Sequence, residues 1–213
     1  MTMTLPLFSC ADFGTPLSRK EKTMRTKPIM NIFEAIRSRS VENVRPCVEE
    51  QGADVNMKDS NVDEFTPLHY AVLINSNMKV LKCLVSKGAD VNARDDGGST
   101  VLHYAATRPN LKTVKFLVSK GSNVHLKNAD GCTPLHDAVE FGNDVEVSRY
   151  LIVNGASIDE PNNEGMTPFD LAVKNPNEEV GRFFFDLKKR QVCEKITTLA
   201  LLAEVVKVIE SAE

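Results

Sequence analysis

A four-residue phrase recurs along this chain at an almost constant interval. Residues 66–69 (Thr-Pro-Leu-His) are followed by related segments that begin at Thr100, Thr133 and Thr167, so the interval varies by no more than one position. Such a period is typical of a solenoid, because a unit of that size cannot bury its own apolar face and must stack on its neighbours. The phrase therefore predicts a linear array of units.

A second phrase keeps the same period. Residues 52–56 (Gly-Ala-Asp-Val-Asn) return in related form from Gly88, Gly121 and Gly155, nearly in step with the first phrase. Small insertions separate the two phrases at three places, near residues 60–62, near Asn75 and near Asn143. Because these insertions spare both phrases, we expect them to lie in loops.

Each unit predicts two helices followed by an extended turn. Thr100 is a good N-cap for a short first helix, and Pro67, Pro134 and Pro168 fall at the first helical position, where a missing N–H costs nothing. The second helices carry apolar stripes, at Val80, Leu81, Leu84 and Val85, at Val114, Leu117 and Val118, and at Val147, Leu151 and Ile152. Pro46 falls inside the second helix of the first unit, which it should weaken.

These residues resemble the ankyrin repeat, whose pattern is Gly-x-Thr-Pro-Leu-His-x-Ala-Ala, then Val-Val-x-Leu-Leu-Leu, then Gly-Ala-Asp-Val-Asn. The resemblance covers about residues 31–190. It implies an all-α fold, an α-solenoid of stacked helix-loop-helix units with β-hairpin-like fingers. We use "finger" for the extended turn before each Thr-Pro-Leu-His phrase.

The resemblance also divides the chain into segments. It implies an amino-terminal cap over residues 31–60, full repeats over 63–96, 97–129 and 130–163, and a carboxy-terminal repeat over 164–190. Residues 1–29 lack the period and predict a flexible basic leader. Met24 and Met30 are alternative starts to Met1.

Residues 191–213 predict a carboxy-terminal amphipathic helix. Its apolar residues follow helical spacing, at Val192, Ile196, Leu199, Leu202, Val206 and Ile209. Terminal repeats need a cover, so we interpret this helix as a lid over the last repeat. A seam for weak self-association is the alternative, in a chain that we otherwise expect to be monomeric.

Charge and cysteine content exclude several classes of function. The net charge is −3, and residues 1–30 carry five basic and two acidic side chains, so the remaining chain carries −6. An acidic body argues against nucleic-acid binding, which needs a basic face. Five cysteines without a Cys-x-x-Cys pair favour reduced thiols in the cytoplasm, with the nucleus as an alternative. No apolar run approaches the roughly 20 residues of a membrane span.

Histidines and cysteines do not predict a catalytic or metal site. His69, His103 and His136 recur once per repeat, and equivalent side chains on helices roughly 8–10 Å apart do not converge on one ion. We expect these imidazoles to bond to the backbone within and between repeats. Cys132 and His136 are four residues apart, but Cys132 precedes the helix, so the two do not share a face. We therefore predict no enzyme activity and no cofactor.

Asn92 is a possible modification site. It follows Asp90-Val91 and lies eight residues after Leu84, which looks like the site that an asparaginyl hydroxylase modifies in ankyrin repeats. The alternative is that Asn92 is simply a turn residue of the repeat, a role that asparagine suits.

A partner protein is expected on the concave face of the array, as the resemblance implies. The candidate contacts on the first helices are Tyr70, Leu73, Ile74, Tyr104, Thr107, Arg108, Asp137, Glu140 and Phe141. Those on a finger tip are Arg94, Asp95 and Asp96. The fingers lean acidic, so the partner should present a basic or polar patch. Two other functions stay open: a regulatory or targeting subunit of an enzyme complex, and a structural oligomeriser that works through the carboxy-terminal helix.

Overall fold

A computed structural model describes residues 30–74, 77–142 and 144–210 of this chain, with side chains placed as far as residue 203. The predicted leader, residues 1–29, lies outside the described residues, as do Asn75 and Asn143 at two of the insertions. None of the helices within the described ranges is both long and apolar enough to cross a membrane.

The helices of the array come in pairs. The first helices are α1 (Ile32–Arg37), α3 (Pro67–Leu73), α5 (Val101–Ala106), α7 (Pro134–Asp137) and α9 (Pro168–Lys174). The second helices are α2 (Val41–Glu49), α4 (Met78–Ser86), α6 (Leu111–Ser119), α8 (Val145–Val153) and α10 (Glu178–Glu210). A π turn, Ala138–Gly142, continues α7. The fold is the predicted all-α repeat solenoid.

Each first helix of the repeats begins in the same way, which explains the Thr-Pro-Leu-His phrase. Thr66, Thr100, Thr133 and Thr167 are the N-caps, and the residue three positions later closes a capping box with each of them. The box satisfies backbone N–H groups that a helix start otherwise leaves unbonded. Since the caps are alike, the first helices start at equivalent places and stack in order, each against the next.

The core runs along the array as a row of leucines. Leu68, Leu102 and Leu135 of the first helices are fully buried, as are Leu84 and Leu117 of the second helices. Burying one such side chain stabilises the fold by about 1.5–3 kcal/mol relative to leaving it exposed. The row is continuous because every repeat contributes the same positions, so each repeat depends on its neighbours.

Two expectations about the ends of the array have clear outcomes. Pro46 lies inside α2, yet α2 stays helical from Val41 to Glu49. The lid interpretation of the last helix is wrong: α10 is continuous from 178 to 210, and among its side chains described as far as residue 203 only those of its first part pack on the last repeat, through the buried Val180 and Phe184. Ile196 and Leu199 are 61% and 66% exposed, because the helix extends beyond the last repeat.

Candidate protein-binding face

Three predicted contact residues occupy the same place in successive first helices. Tyr70, Tyr104 and Asp137 each follow the histidine of the repeated phrase. Tyr70 is buried; its ring meets Phe33 edge to face at 5.9 Å, and its hydroxyl accepts a hydrogen bond of 2.6 Å from Nε of Arg37. Tyr70 therefore joins the first full repeat to the amino-terminal cap, and it offers a partner little surface.

Tyr104 and Asp95 form a rigid pair at the centre of the array. The Tyr104 hydroxyl donates to Oδ2 of Asp95 at 2.5 Å, and Oδ1 of Asp95 accepts from the backbone N–H of Ser99 at 2.7 Å. Burial, and then the hydrogen bond to Asp95, raises the pKa of Tyr104 well above its usual value. Asp95 is buried while Tyr104 is half-buried, so the pair holds the finger against α5 and part of Tyr104 remains at the surface.

The Tyr104 ring also belongs to an aromatic cluster. It packs edge to face against Phe65 at 5.3 Å and against the His69 ring at 6.0 Å. Aromatic pairs at such distances add about 0.5–1.5 kcal/mol beyond the area that they bury. Because these contacts already fix the Tyr104 ring, a contact with it would cost little side-chain conformational entropy.

Asp137 differs from its two tyrosine equivalents. Its side chain is only 8% exposed, and among the described residues it makes no hydrogen bond and no ion pair. Burial, reinforced by the negative charges of Glu140 and Asp130, raises the pKa of Asp137 to about 7. Near neutral pH the Asp137 carboxyl group is therefore present as a mixture of its protonated and ionised forms.

The π turn after α7 exposes an aromatic side chain on this face. The repeat holds one extra residue near Asn143, and the wider turn of a π-helix accommodates such an insertion. Gly142 is required here, because a Cβ atom at this position would lie 2.6 Å from the carbonyl oxygen of Ala106. The turn leaves Glu140 exposed and Phe141 60% exposed. That single inserted residue, which lengthens the interval between the phrases, was the only sequence signal for this turn.

The remaining candidate contacts lie around this centre. Arg94 is exposed, and its Nη1 donates to the carbonyl oxygens of Gly98 at 3.0 Å and Lys127 at 2.7 Å, so it ties two fingers together. Arg108 and Asp96 are exposed, and Thr107 is half-buried with its hydroxyl bonded to the carbonyl of Tyr104. Leu73 and Ile74 are half-buried at the end of α3. We call this set, with Tyr104, Glu140 and Phe141, the first-helix face.

The repeated histidines are structural bridges, as predicted. Nδ1 of His103 accepts from the backbone N–H of Thr100 at 3.0 Å, so Nε2 carries the proton and donates to the carbonyl of Cys132 in the next repeat at 3.1 Å. Burial lowers the pKa of His103 to about 4, and burial also lowers the pKa of His69 and His136. No group of three metal-binding side chains occurs within the described part of the chain.

Asn92 also connects two repeats. Its Nδ2 donates to the carbonyl of Gly121 at 2.9 Å, and its Oδ1 accepts from the backbone N–H of Asn123 at 2.8 Å. Asn56 makes the same two bonds one repeat earlier, to Gly88 and Asp90. The amide is therefore fully engaged in stacking, and hydroxylation at Asn92 stays a prediction.

Two lysines of the fingers form ion pairs with acidic finger residues. Lys58 bonds to Glu64 at 2.8 Å and Lys127 to Glu160 at 2.7 Å. The fingers carry eight acidic side chains against three basic ones: Asp59, Asp63, Glu64, Asp95, Asp96, Asp130, Glu160 and Glu164 against Lys58, Arg94 and Lys127. Since these two lysines are already paired, the uncompensated charge at the finger tips is negative.

The comparisons agree with this architecture. The family model of ankyrin repeats in three copies matches residues 32–128 and, in a second overlapping match, residues 105–195. No curated protein matches the chain. The matched residues include all the first helices, the fingers between them and the first half of α10. The chain belongs to the ankyrin-repeat family.

Proposed function

We propose that this chain is a non-catalytic binding protein that holds a partner protein on its first-helix face and finger tips, as a scaffold, adaptor or inhibitor. Ankyrin repeats are in general protein–protein interaction modules. The observation that carries the proposal is the exposed Phe141 on the π turn, which adjoins α5, the helix that carries Tyr104. Because Gly142 packs against Ala106, the π turn adjoins the end of α5, where Arg108 is exposed. Aromatic and arginine side chains on a rigid support are the usual anchors of protein interfaces.

The charge of the fingers supports a partner with a basic or polar patch. Opposite charges steer the encounter of two proteins, and salt screens this attraction. The association rate with a purified partner should therefore fall as salt rises. An association rate that does not change with salt would contradict the charge part of the proposal.

The proposal is tested by comparing two double variants in partner capture. The test variant is Arg108→Glu with Phe141→Ala. The matched control is Arg182→Glu with Phe185→Ala on α10, where Phe185 is 62% exposed and Arg182 forms an exposed ion pair with Glu178. Both change the same residue types at similar exposure. Circular dichroism confirms that each variant is folded.

We expect the test variant to lose its specific partner by at least about tenfold, because anchor residues carry most of an interface energy. The control should retain the partner. Equal recovery by both variants, or equal loss, would show that the first-helix face is not the binding surface.

A second candidate function, self-association through α10, is favoured by its exposed apolar stripe. Val192, Ile196 and Leu199 lie one helical turn apart and are exposed. Light scattering across concentrations should show a dimer for the wild-type chain, which Ile196→Glu with Leu199→Glu abolishes. If the wild-type chain is a monomer at every concentration, α10 does not mediate self-association.

The state of the cysteines supports a reducing compartment such as the cytoplasm. Cys47, Cys83 and Cys132 are buried free thiols, and Cys193 is an exposed free thiol. Disulfides are rare where glutathione keeps thiols reduced. Fluorescence imaging of a tagged chain distinguishes the cytoplasm from the nucleus.

A further inference from the structure

Three equivalent residues follow the histidines of successive repeats, and among the described residues only the last of them, Asp137, has a side chain without a hydrogen bond or ion pair. Tyr70 receives a hydrogen bond from Arg37, and Tyr104 donates one to Asp95. Asp137 takes the same place in the next repeat and is 8% exposed. Among the described residues, Oγ of Ser148 is the one fully buried side-chain polar atom without a hydrogen bond, so the Asp137 oxygens still reach the surface and are open to a group from outside.

The charges around Asp137 increase the cost of its ionised form. Glu140 on the π turn and Asp130 in the finger both act on its carboxyl group, and both are acidic and exposed. No positive charge of the described residues is among the groups that act on it. The carboxyl group thus lies between an acidic finger and an acidic turn, at the edge of the first-helix face.

We propose that Asp137 is the acceptor for a cationic side chain, an arginine, supplied by the partner protein. The arginine enters between the Asp130 finger and the π turn, with Phe141 beside it. This inference depends on the proposed function, since it names the chemistry of the group that the first-helix face holds.

Arginine fits this place for three physical reasons. Its planar guanidinium can donate two parallel hydrogen bonds to one carboxylate, and it is more weakly hydrated than a lysine ammonium, so its burial costs less. A guanidinium over an aromatic ring gains a further attraction of about 0.5–1 kcal/mol at an exposed site, which Phe141 can supply. The charges of Glu140 and Asp130 then favour the bound cation, whereas without it they oppose the ionised Asp137.

Binding of a cation should lower the pKa of Asp137 and release its proton. The affinity should therefore rise as the pH approaches about 7, by at most about tenfold per pH unit, and level off above it. Other titratable or charged groups lie on α7 itself, its finger and turn, and the packed helices α5, α8 and α9: His136, His125, Lys127, Asp130, Cys132, Glu140, His103, Tyr104, Glu146, Arg149, Tyr150, Asp170 and Lys174. The pKa of His103 is about 4, so its imidazole stays neutral through this range, and burial also lowers the pKa of His136.

The test uses the full chain and a hexa-arginine peptide, with hexa-citrulline as the uncharged control of the same shape. The carboxyl carbon of Asp137 is followed by NMR during titration with each peptide. We expect hexa-arginine to shift this resonance and to lower the pKa of Asp137 by at least about one unit. Hexa-citrulline should do neither. A hexa-arginine peptide that perturbs only the finger-tip carboxylates would overturn the proposal.

Variants separate this site from general attraction to an acidic surface. Asp137→Asn should weaken binding of hexa-arginine by at least about tenfold, as should Asp137→Tyr, which restores the residue type of the two preceding repeats. The matched control is Asp96→Asn, which removes an exposed carboxylate from a finger tip and should weaken binding less than about threefold. Equal losses for Asp137→Asn and Asp96→Asn would overturn the proposal.

The outcomes also distinguish the failure of this inference from that of the proposed function. If partner capture depends on Arg108 and Phe141 while hexa-arginine does not affect Asp137, the proposed binding face is supported and the cation site at Asp137 is refuted. If capture is indifferent to Arg108 and Phe141, the binding face itself is wrong.

Discussion

The central junctions of the array and its carboxy-terminal end use different residues at the same position of the repeat. His69, His103 and His136 reach across to carbonyl oxygens of the next repeat, at 3.3, 3.1 and 3.2 Å. In the last repeat the residue is Asp170, which accepts from the backbone N–H of Thr167 at 3.0 Å and closes only its own capping box. A carboxylate cannot donate to a carbonyl, and within the described residues no further repeat follows α9 to be bridged. The histidine thus both closes the capping box of its own helix and bonds to the next repeat, whereas the aspartate of the last repeat only closes the capping box.

The asparagine position also changes along the array. Asn56 and Asn92 each bridge two repeats with both ends of the side-chain amide. His125 takes the place at the third junction, and Asp159 at the fourth forms an ion pair with Lys188 of α10. Counted from the amino-terminal cap, the first junction is held by Asn56, the second by His69 and Asn92, the third by His103, and the fourth by His136 together with the exposed Asp159–Lys188 ion pair. The asparagine bridge is therefore present only at the first two junctions.

The largest expected effect is that of His103→Ala. It removes a fully buried ring, its capping box and the bond to Cys132, and it leaves buried polar groups unpaired. We expect a loss of about 3–4 kcal/mol of unfolding free energy. Asp170→Ala, the matched change in the last repeat, should cost only about 1 kcal/mol, since it removes a local cap. Urea denaturation of both variants measures the difference, and equal losses would contradict the distinction between junction and end.

Acid should separate the two regions next. The folded pKa of His103 is about 4, below its usual 6.5, so the unfolded chain binds a proton that the folded chain refuses. The contribution of His103 is complete above about pH 6.5 and is lost as the pH falls towards 4, by about 3 kcal/mol in all. The hydrogen bonds from Thr167 lower the pKa of Asp170, so its contribution is lost only at lower pH, below its usual 3.8.

Hydrogen exchange across this pH range checks the prediction. Once the intrinsic exchange rates are corrected for pH, amides in α5 and α7 should lose protection before those of α9. The raised pKa of Asp137 acts in the opposite sense, because its folded form binds a proton that the unfolded chain has lost, so its contribution is lost as the pH rises towards 7. Asp137→Asn should therefore steepen the loss of stability in acid. A parallel loss in wild type and variant would contradict the assignment.

The smallest expected effect concerns the position that is asparagine at the first two junctions and histidine at the third. Asn92→Ala removes two hydrogen bonds between repeats and should cost about 1–2 kcal/mol. His125→Ala, at the equivalent place one repeat later, should change stability by less than about 0.5 kcal/mol, because an exposed ring is lost there. Chemical denaturation compares the pair. A larger effect for His125→Ala would show that the third junction is held by a contact other than the histidine bridge.

The interactions that could be predicted from sequence are those between residues close in the chain or repeated at one period. Thr100 and His103 are three residues apart, so their capping box follows from helix geometry alone. The bridges of the histidines to the next repeat could also be expected, since a repeated polar side chain in a core needs a repeated partner. Asn92 was recognised as a turn residue, but its double bond to the next repeat was not.

The prediction was weaker where an end or an insertion breaks the period. The stripe of Ile196 and Leu199 indicated an amphipathic helix, but a stripe does not say what covers it, and the last repeat was already packed by Val180 and Phe184. The π turn depended on one inserted residue whose accommodation is decided by the carbonyl of Ala106 in the preceding repeat. The acidic fingers were predicted, but the pairing of Lys58 and Lys127 within them was not.

The sequence by itself determined the repeat, its helices, its caps and its family, because these depend on local residue spacing that returns once in every unit. Only the tertiary structure decided which candidate contacts are free. It bonds Arg37 to Tyr70 in the next unit and Tyr104 to Asp95 in the preceding finger, and it leaves Asp137 buried without such a bond among the described residues. Burial and pairing depend on neighbours brought together by stacking, and no spacing along one chain specifies how each neighbour fills that space.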